Sequence, residues 1–530
     1  MAGDRVPSII PPMTASRVRA LALLLILAGL ALRLALTFPV HKYVADADSL
    51  LTGMRAFQVM RGETPVFFSG VRIGSIEPHA AAAVFFLFGA SRTTLALVPI
   101  LFAAALLLVL YGLYRELFPP GVALTALLLF AVPSPAFLAW TYMPDGYPAT
   151  LFLCALILWT AALLRRDPGR LHTVLFGIAV GLGWWQSFQT LGMTTAALMW
   201  LLWSRPELWR RPRLWAVGLA GFLLGAFPWI AYNVVLPLHS FRDNFAARPA
   251  TEIGAVASNV HYFFTYSLPE VVTPVREAWT QSLADPAAEV YNGMRLPVLF
   301  LYAAAALVFL AVPAVRRRAG VSTWLLFVLV IAAYAGLNIF SEAGQIRGIS
   351  VRYVLPVYLV VPGMLAVLLS LVAERSRGLA VALAAVVLLF NVTAYHWPGR
   401  STREVWQEEA RHDDRLVGWL EGHGVTAVFG GYWTAYPINF LSHERILALP
   451  CDSDQYDYRG RRPPGRLYRW ALVSVRPEEL EKWAARAGVA GSLHLAAPGR
   501  AVFVLDRGPA DAGAQERMLE RLEETCEIPD

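Results

Sequence analysis

Carboxylates close to an apolar stretch are the residues of this sequence best suited to chemistry. Asp46 and Asp48 follow the first such stretch. A carboxylate at a membrane surface can act as a general base toward an acceptor hydroxyl or amine. A spacing of two puts their side chains on opposite faces of a strand or on separate faces of a helix, so they need not share one site. Asp48 also stands where it could cap a following helix, since Asp is favoured at helix N-caps.

Glu77, His79 and Asp145 can each be interpreted as a functional or as a structural residue. Glu77 and His79 are spaced to offer a carboxylate and an imidazole near one point. Because a metal site needs more than two ligands, a surface hydrogen-bonding role is favoured for both residues. Binding of a divalent metal stays an open alternative, and no cofactor is assigned. Asp145 stands in Pro-Asp-Gly, which is typical of a turn. Turn chemistry therefore competes with a role in lining a cavity.

Three arginines are candidates for holding an anion. Arg347 and Arg352 precede a long apolar stretch, and Arg72 lies in the segment after Asp48. Arginine can extend its charged head to lipid headgroups while its stem stays in apolar surroundings. The planar guanidinium also matches a phosphate group, which it can hold with two hydrogen bonds. The sequence leaves both roles open.

Composition indicates the kind of protein that positions these groups. Of the 530 residues, 57% are hydrophobic and 16% are charged, against about 45–50% and about 25% in soluble domains. This excludes a soluble cytosolic enzyme, a disordered chain, a collagen and a coiled coil, and it predicts a polytopic membrane protein. The net charge of +7 comes without a basic run of five residues, so nucleic acid is not an expected partner.

About eleven transmembrane helices are predicted from apolar stretches of suitable length. They lie at about 18–38, 93–113, 121–140, 148–164, 171–185, 188–203, 214–237, 297–314, 322–340, 353–372 and 379–397. The fifth and sixth nearly touch and could form a re-entrant pair. Arginines cluster in alternate loops, which predicts a cytoplasmic N-terminus and an exported C-terminus. No small-residue cleavage site follows the first stretch, so it is kept as an uncleaved span.

The predicted organisation is a membrane domain at 1–397 and an extracytoplasmic domain at 398–530. Two outer loops, 39–92 and 238–296, belong to the membrane domain. In the first loop, Leu50, Met54 and Phe57 recur with helical spacing, which predicts an amphipathic helix in the membrane interface.

The region 398–530 alternates short apolar runs with helical patterns, which predicts a small α/β domain on the membrane surface. The predicted strands are Val425–Phe429, Arg445–Leu449, Trp470–Val475 and Ala501–Leu505, and the predicted helices are Arg415–Glu421 and Pro477–Ala487. Cys451 and Cys526 also lie here. An exported position would favour a disulfide between them, although spacing alone cannot give their separation.

Several segments resemble the GT-C superfamily of membrane glycosyltransferases, which use polyprenyl-phosphate sugars. The closer similarity is to the aminoarabinose transferase of lipid A and to dolichyl-phosphate-mannose protein mannosyltransferases. The resembling segments are Arg61–Gly70, Gly74–His79, Gly221–Asn233, Arg352–Tyr358 and Tyr432–Ile446.

The resemblance implies an all-α polytopic domain with its active site on the outer face. The catalytic Asp of the family's first loop maps best to Asp48, with Asp46 as its alternative. The candidate substrate contacts are Glu77, His79, Arg72, Asp145, Arg347, Arg352 and Tyr353. Ser49 and Ser69 depart from the family pattern, in which Glu and Tyr are common at those places.

The function implied is transfer of a sugar from a polyprenyl-phosphate donor to a glycan, lipid or protein acceptor. One essential carboxylate with no partner at nucleophile spacing favours inversion. The location implied is the bacterial plasma membrane, so membrane lipids are partners as well. A transporter or flippase of lipid-linked sugars is the main alternative, but transporters tend to place ionisable groups at mid-membrane. A non-catalytic scaffold would leave the carboxylates of the first loop without a purpose.

Overall fold

Two compact units make up the structure, which is a computed structural model. It describes residues 13–41, 47–69, 72–245, 253–273, 300, 302–341, 349–395, 400–451, 467–474, 476–498, 500–506 and 511–526. The first unit comprises Met1–Leu36, Val71–Gly74 and Pro99–Trp397. The second comprises Thr37–Gly70, Ser75–Val98 and Pro398–Asp530. This division differs from the predicted one, because most of the first outer loop groups with the C-terminal region.

The described elements are mainly helices. In chain order they are α1 (Ala15–His41), α2 (Ala47–Met60), α3 (Ile76–Phe88), α4 (Arg92–Leu95), α5 (Leu97–Leu117), α6 (Pro120–Ala131), α7 (Pro135–Ala139), α8 (Tyr147–Arg166), α9 (Arg170–Gln186), α10 (Thr190–Ser204), α11 (Pro212–Gly225), α12 (Phe227–Val235), α13 (His239–Phe245), α14 (Ile253–Tyr262), α15 (Leu268–Val272), α16 (Tyr302–Ala311), α17 (Pro313–Ala319), α18 (Val321–Ile339), α19 (Ile349–Val354), α20 (Val361–Arg375), α21 (Arg377–Ala394), α22 (Arg400–Gly422), α23 (Tyr432–Leu441), α24 (Pro477–Ala487) and α25 (Ala512–Glu524). The strands are β1 (Phe67–Ser69), β2 (Ile73–Gly74), β3 (Ala427–Gly430), β4 (Leu447–Pro450), β5 (Trp470–Ser474), β6 (Gly491–Ala497) and β7 (Arg500–Leu505).

Several of these helices are long and apolar enough to cross a membrane, so the predicted multi-pass membrane protein is confirmed. Within the described residues, five pass by length and composition, and seven if each of two bent pairs is one span. The five are Ala15–Leu36, Arg92–Leu117, Tyr147–Arg166, Val321–Ile339 and Arg377–Ala394. The predicted number of eleven is not confirmed.

Prolines explain why three predicted spans are interrupted. The predicted third span, 121–140, divides into α6 and α7 at Pro133, and the Ser134 side chain caps α7 by accepting a hydrogen bond from Phe137 N. The helices α11 and α12 meet at an angle of 69°, and Pro228 follows the break between them. The segments Ser350–Leu359 and Val361–Arg375 meet at 45°, and Pro362 follows that break. Proline lacks the N–H that a continuous helix needs and clashes with the preceding turn.

Glycines bring α9 and α11 into backbone contact. A Cβ at Gly181 would lie 2.3 Å from the carbonyl oxygen of Phe222, and one at Gly221 would lie 2.5 Å from that of Val174. Gly177 and Gly225 are equally close to backbone atoms of the facing helix. Small residues at intervals of four let membrane helices approach this closely. This interface was not predicted from the sequence.

The C-terminal region forms the predicted α/β domain around a five-stranded sheet. The strand order is β4-β3-β5-β7-β6. β3 pairs in parallel with β4 and β5, whereas β7 is antiparallel to β5 and β6. All four predicted strands and the helix α24 are present. The predicted helix Arg415–Glu421 is the end of the longer α22, while β6, α23 and α25 were not predicted.

A disulfide joins Cys451 and Cys526 in this domain. The two residues are 75 positions apart in the sequence, and their Cα atoms are 6.2 Å apart, within the range that a disulfide can span. The bond connects the end of β4 to the chain after α25. The hypothesis drawn from the sequence is therefore confirmed in the structure.

Candidate active site

Asp48 lies in the second unit, on the first turn of α2. Its side chain is exposed, and negative charge in this position is favoured by the helix dipole. The helix begins at Ala47, so Asp48 lies inside the first turn rather than before it, and the predicted N-cap role is wrong. Asp46, the second candidate base, lies outside the described residues.

A tyrosine of the C-terminal domain contacts this carboxylate. The hydroxyl of Tyr432 donates a hydrogen bond to Asp48 Oδ1 at 2.5 Å. The tyrosine is 6% exposed, and it is the first residue of α23. Because a carboxylate can accept at both oxygens, the bond to Oδ1 leaves Oδ2 able to accept a proton.

Packing on several sides fixes the helix that carries Asp48. The predicted helix is confirmed, but the predicted stripe of Leu50, Met54 and Phe57 is only part of its buried surface. The buried residues of α2 are Ala47, Ser49, Leu50, Leu51, Thr52, Gly53, Met54, Ala56, Phe57 and Gln58. Contacts with α3 and α23 account for this burial. The helix is therefore packed within protein rather than presenting one apolar face to lipid.

The surface hydrogen-bonding role favoured for Glu77 and His79 fits His79 but not the buried Glu77. Both lie at the start of α3, where residues two apart point to different sides of the helix. Glu77 is 1% exposed, whereas His79 is exposed and its Nδ1 donates to the carbonyl oxygen of Ser75 at 2.7 Å. Within the described part of the chain, no group of three or more His, Cys, Asp or Glu residues could hold a metal ion.

Arg352 lies in the first unit among aromatic rings. Its guanidinium carbon is 5.3 Å from the ring centre of Tyr353, 5.9 Å from that of Tyr147 and 6.0 Å from that of Trp140. Its Nη2 donates to the Tyr353 hydroxyl at 3.4 Å. The buried Nε atom has no hydrogen-bond partner among the residues that the structure describes. The cation is thus held by ring faces and retains a donor for an anion.

Asp145 serves the turn before α8 and also acts on Arg352. Its Oδ1 accepts a hydrogen bond from Tyr147 N at 3.4 Å, as a turn aspartate does. Gly146 has φ +98°, a conformation that favours glycine. The Asp145 carboxylate also interacts electrostatically with Arg352. Asp145 therefore has the predicted turn role, and its role in lining a cavity stays a prediction.

The two other arginines predicted to hold an anion are Arg72 and Arg347. Arg72 belongs to the first unit and is exposed. Arg347 lies outside the described residues. Asp48 and Arg352 belong to different units.

Sequence reasoning missed Tyr432 beside Asp48 and two of the three rings around Arg352, although Tyr353 was a candidate. Tyr432 opens a segment that carried the family resemblance, but nothing local linked it to Asp48. Trp140 and Tyr147 flank Asp145, and their separation from Arg352 in the sequence hides the contact. Aromatic residues in segments that resemble the family were the one available signal.

Comparison with known proteins gives one family match. Residues 77–232 match the family model described as dolichyl-phosphate-mannose-protein mannosyltransferase. No curated protein sequence matches the chain.

Two solved structures share the fold over almost the whole chain. ArnT from Cupriavidus metallidurans bound to undecaprenyl phosphate superimposes with a TM-score of 0.59 at 12% identity, covering 93% of this chain and 99% of that one. ArnT from the same organism in the apo state gives 0.58 at 12% identity, covering 93% and 98%. The family match and the common fold confirm the resemblance drawn from the sequence.

Proposed function

We propose that this chain is a membrane glycosyltransferase of the GT-C type that transfers a sugar from a polyprenyl-phosphate donor to an acceptor at the outer face of the membrane. The acceptor is a glycan, a lipid or a protein. The observation that carries the proposal is the exposed Asp48 carboxylate, held at one oxygen by Tyr432. The undecaprenyl phosphate bound to ArnT supports a lipid-phosphate donor here.

The proposed reaction is a single displacement at the anomeric carbon. Asp48 accepts the proton from the acceptor O–H or N–H, and the acceptor atom bonds to the anomeric carbon. The bond from that carbon to the donor phosphate oxygen breaks, and its electron pair leaves with the phosphate. Because the leaving group is already an anion, the step needs cations rather than a general acid. One carboxylate acting as base, without a nucleophilic partner, corresponds to inversion.

Arg352 is the proposed cation for the donor phosphate. Its Nε lacks a partner among the described residues, and three rings hold the guanidinium in place. A phosphate oxygen would give that donor a charge-assisted hydrogen bond. Tyr353 and Asp145 then orient the arginine, and Arg72 and Arg347 are additional candidates for the same charge. No step is assigned to a metal ion.

Arg352→Ala is expected to weaken binding of undecaprenyl phosphate roughly 10- to 150-fold, because a hydrogen bond to a charged group contributes about 1.5–3 kcal/mol. Binding of the labelled lipid to purified protein in detergent measures this effect. Arg210→Ala is the matched control, since Arg210 is an exposed arginine of the same unit. Equal affinities for the Arg352 variant and the control would remove Arg352 from the donor site.

The proposed topology makes a separate prediction. An alkaline phosphatase that is active only after export should be active when fused after Ala394, at the end of α21. The same reporter fused after Arg166, at the arginine-rich end of α8, should be inactive, because arginine-rich loops stay in the cytoplasm. The reverse pattern would place Asp48 on the cytoplasmic side and contradict an outer-face reaction.

A further inference from the structure

We infer that Tyr432 is a positioning residue for the Asp48 carboxylate, so that the C-terminal domain completes the catalytic site. This inference rests on the proposed role of Asp48 as the base. The link is direct, since the Tyr432 hydroxyl donates to Asp48 Oδ1 at 2.5 Å across 384 positions of sequence. A soluble domain at the end of the chain thus reaches a carboxylate near its beginning.

The tyrosine ring is itself firmly held. It packs edge-on against Tyr436, with ring centres 4.7 Å apart, and against Trp433 at 5.3 Å. Tyr436 is fully buried. This packing holds the ring in place and thereby fixes the position of the phenol oxygen. The hydrogen bond from Tyr432 therefore orients the Asp48 side chain, which is otherwise exposed.

The helices that carry the two residues also approach each other very closely. A Cβ at Gly53 of α2 would lie 2.4 Å from the Phe440 ring of α23. The rings of Phe57 and Phe440 stack with centres 5.5 Å apart and planes inclined by 17°. Phe85 of α3 joins them, 6.1 Å from Phe440. This contact fixes the spacing of α2 and α23, and with it the spacing of Asp48 and Tyr432.

Ion pairs add two further attachments between the first loop and the C-terminal domain. Arg61 pairs with Glu444. Arg92 pairs with Asp414 at 3.0 Å, and also lies 3.8 Å from Asp413. Charges on long side chains contribute little individually when exposed, but one pair follows the end of α2 and the other follows the end of α3. They favour the one arrangement in which Tyr432 meets Asp48.

When a hydrogen bond holds one oxygen of a carboxylate, the position of the second oxygen, which would accept the proton, is fixed as well. Hydrogen bonds to an ionised acceptor are shorter and stronger than neutral ones. Proton transfer requires the base within hydrogen-bond reach of the acceptor, and a small misplacement lowers the rate greatly. Loss of the phenol hydroxyl should therefore slow the chemical step while Asp48 and the substrate contacts remain.

The test is the variant Tyr432→Phe, which keeps the ring and removes the hydroxyl. We expect kcat to fall roughly 10- to 100-fold, with the KM for the donor changed by less than about threefold. Tyr468→Phe is the matched control, because Tyr468 is a buried tyrosine of the same domain that packs on Trp470. The control should keep the kcat of the unchanged protein.

A double variant separates positioning from a structural role. If Tyr432 acts through the Asp48 carboxylate, Tyr432→Phe should have almost no further effect on the residual activity of Asp48→Asn. A fall by the same factor in both backgrounds would show a structural role and overturn the inference. So would an unchanged kcat of Tyr432→Phe while Asp48→Asn is inactive. Full activity of Asp48→Asn would instead contradict the proposed base, which is a distinct result.

Discussion

Asp48→Asn is expected to lower turnover by roughly 100- to 10,000-fold while leaving the binding of undecaprenyl phosphate largely unchanged. Asparagine has almost the size of aspartate and can still accept the hydrogen bond from Tyr432, but it is not a base. The assay follows transfer from a radiolabelled pool of polyprenyl-phosphate sugars in membranes that contain equal amounts of each variant.

A purely structural role of Asp48 predicts a different result. Its charge would then only stabilise the first turn of α2, and its loss would cost roughly 1 kcal/mol or less and little activity. Glu478→Gln is the control for this effect, since Glu478 is also an exposed carboxylate in the first turn of a helix of the same unit. Near-normal transfer by Asp48→Asn would move the base to Asp46 or Glu77.

Gly181→Leu is expected to destabilise the membrane unit by about 3 kcal/mol, the upper part of the usual range for overpacked cores. The first atom of the new side chain would already lie 2.3 Å from the carbonyl oxygen of Phe222. Backbone cannot move aside as a flexible side chain does, so α9 and α11 must separate. Thermal unfolding of the purified protein in detergent measures the loss.

Gly336→Leu provides the comparison for that experiment. Gly336 lies on α18, also an apolar helix, and a Cβ there would meet nothing within 4 Å. This variant should unfold close to the temperature of the unchanged protein. Equal losses of stability at Gly181 and Gly336 would contradict the close contact of α9 and α11.

Composition and local pattern determined the class of protein and many of its elements. An excess of apolar residues is a property of the whole chain, so it predicts membrane spans without knowledge of their packing. Helical spacing around Leu50, Met54 and Phe57 predicted α2, and Pro477–Ala487 was predicted with its observed ends. These signals succeeded because helical and strand periodicity are properties of neighbouring residues.

Tertiary structure decided which of the candidate residues have partners. Asp48 and Tyr432, Arg352 and Trp140, and the cysteines of the disulfide are all distant in sequence, so no local pattern could pair them. Burial separated Glu77 from His79, although their spacing had suggested a pair. The sequence supplied the charged groups. The packing of helices far apart in the chain determined which aromatic side chains contact those groups, because the surroundings of a side chain depend on every element that packs against it.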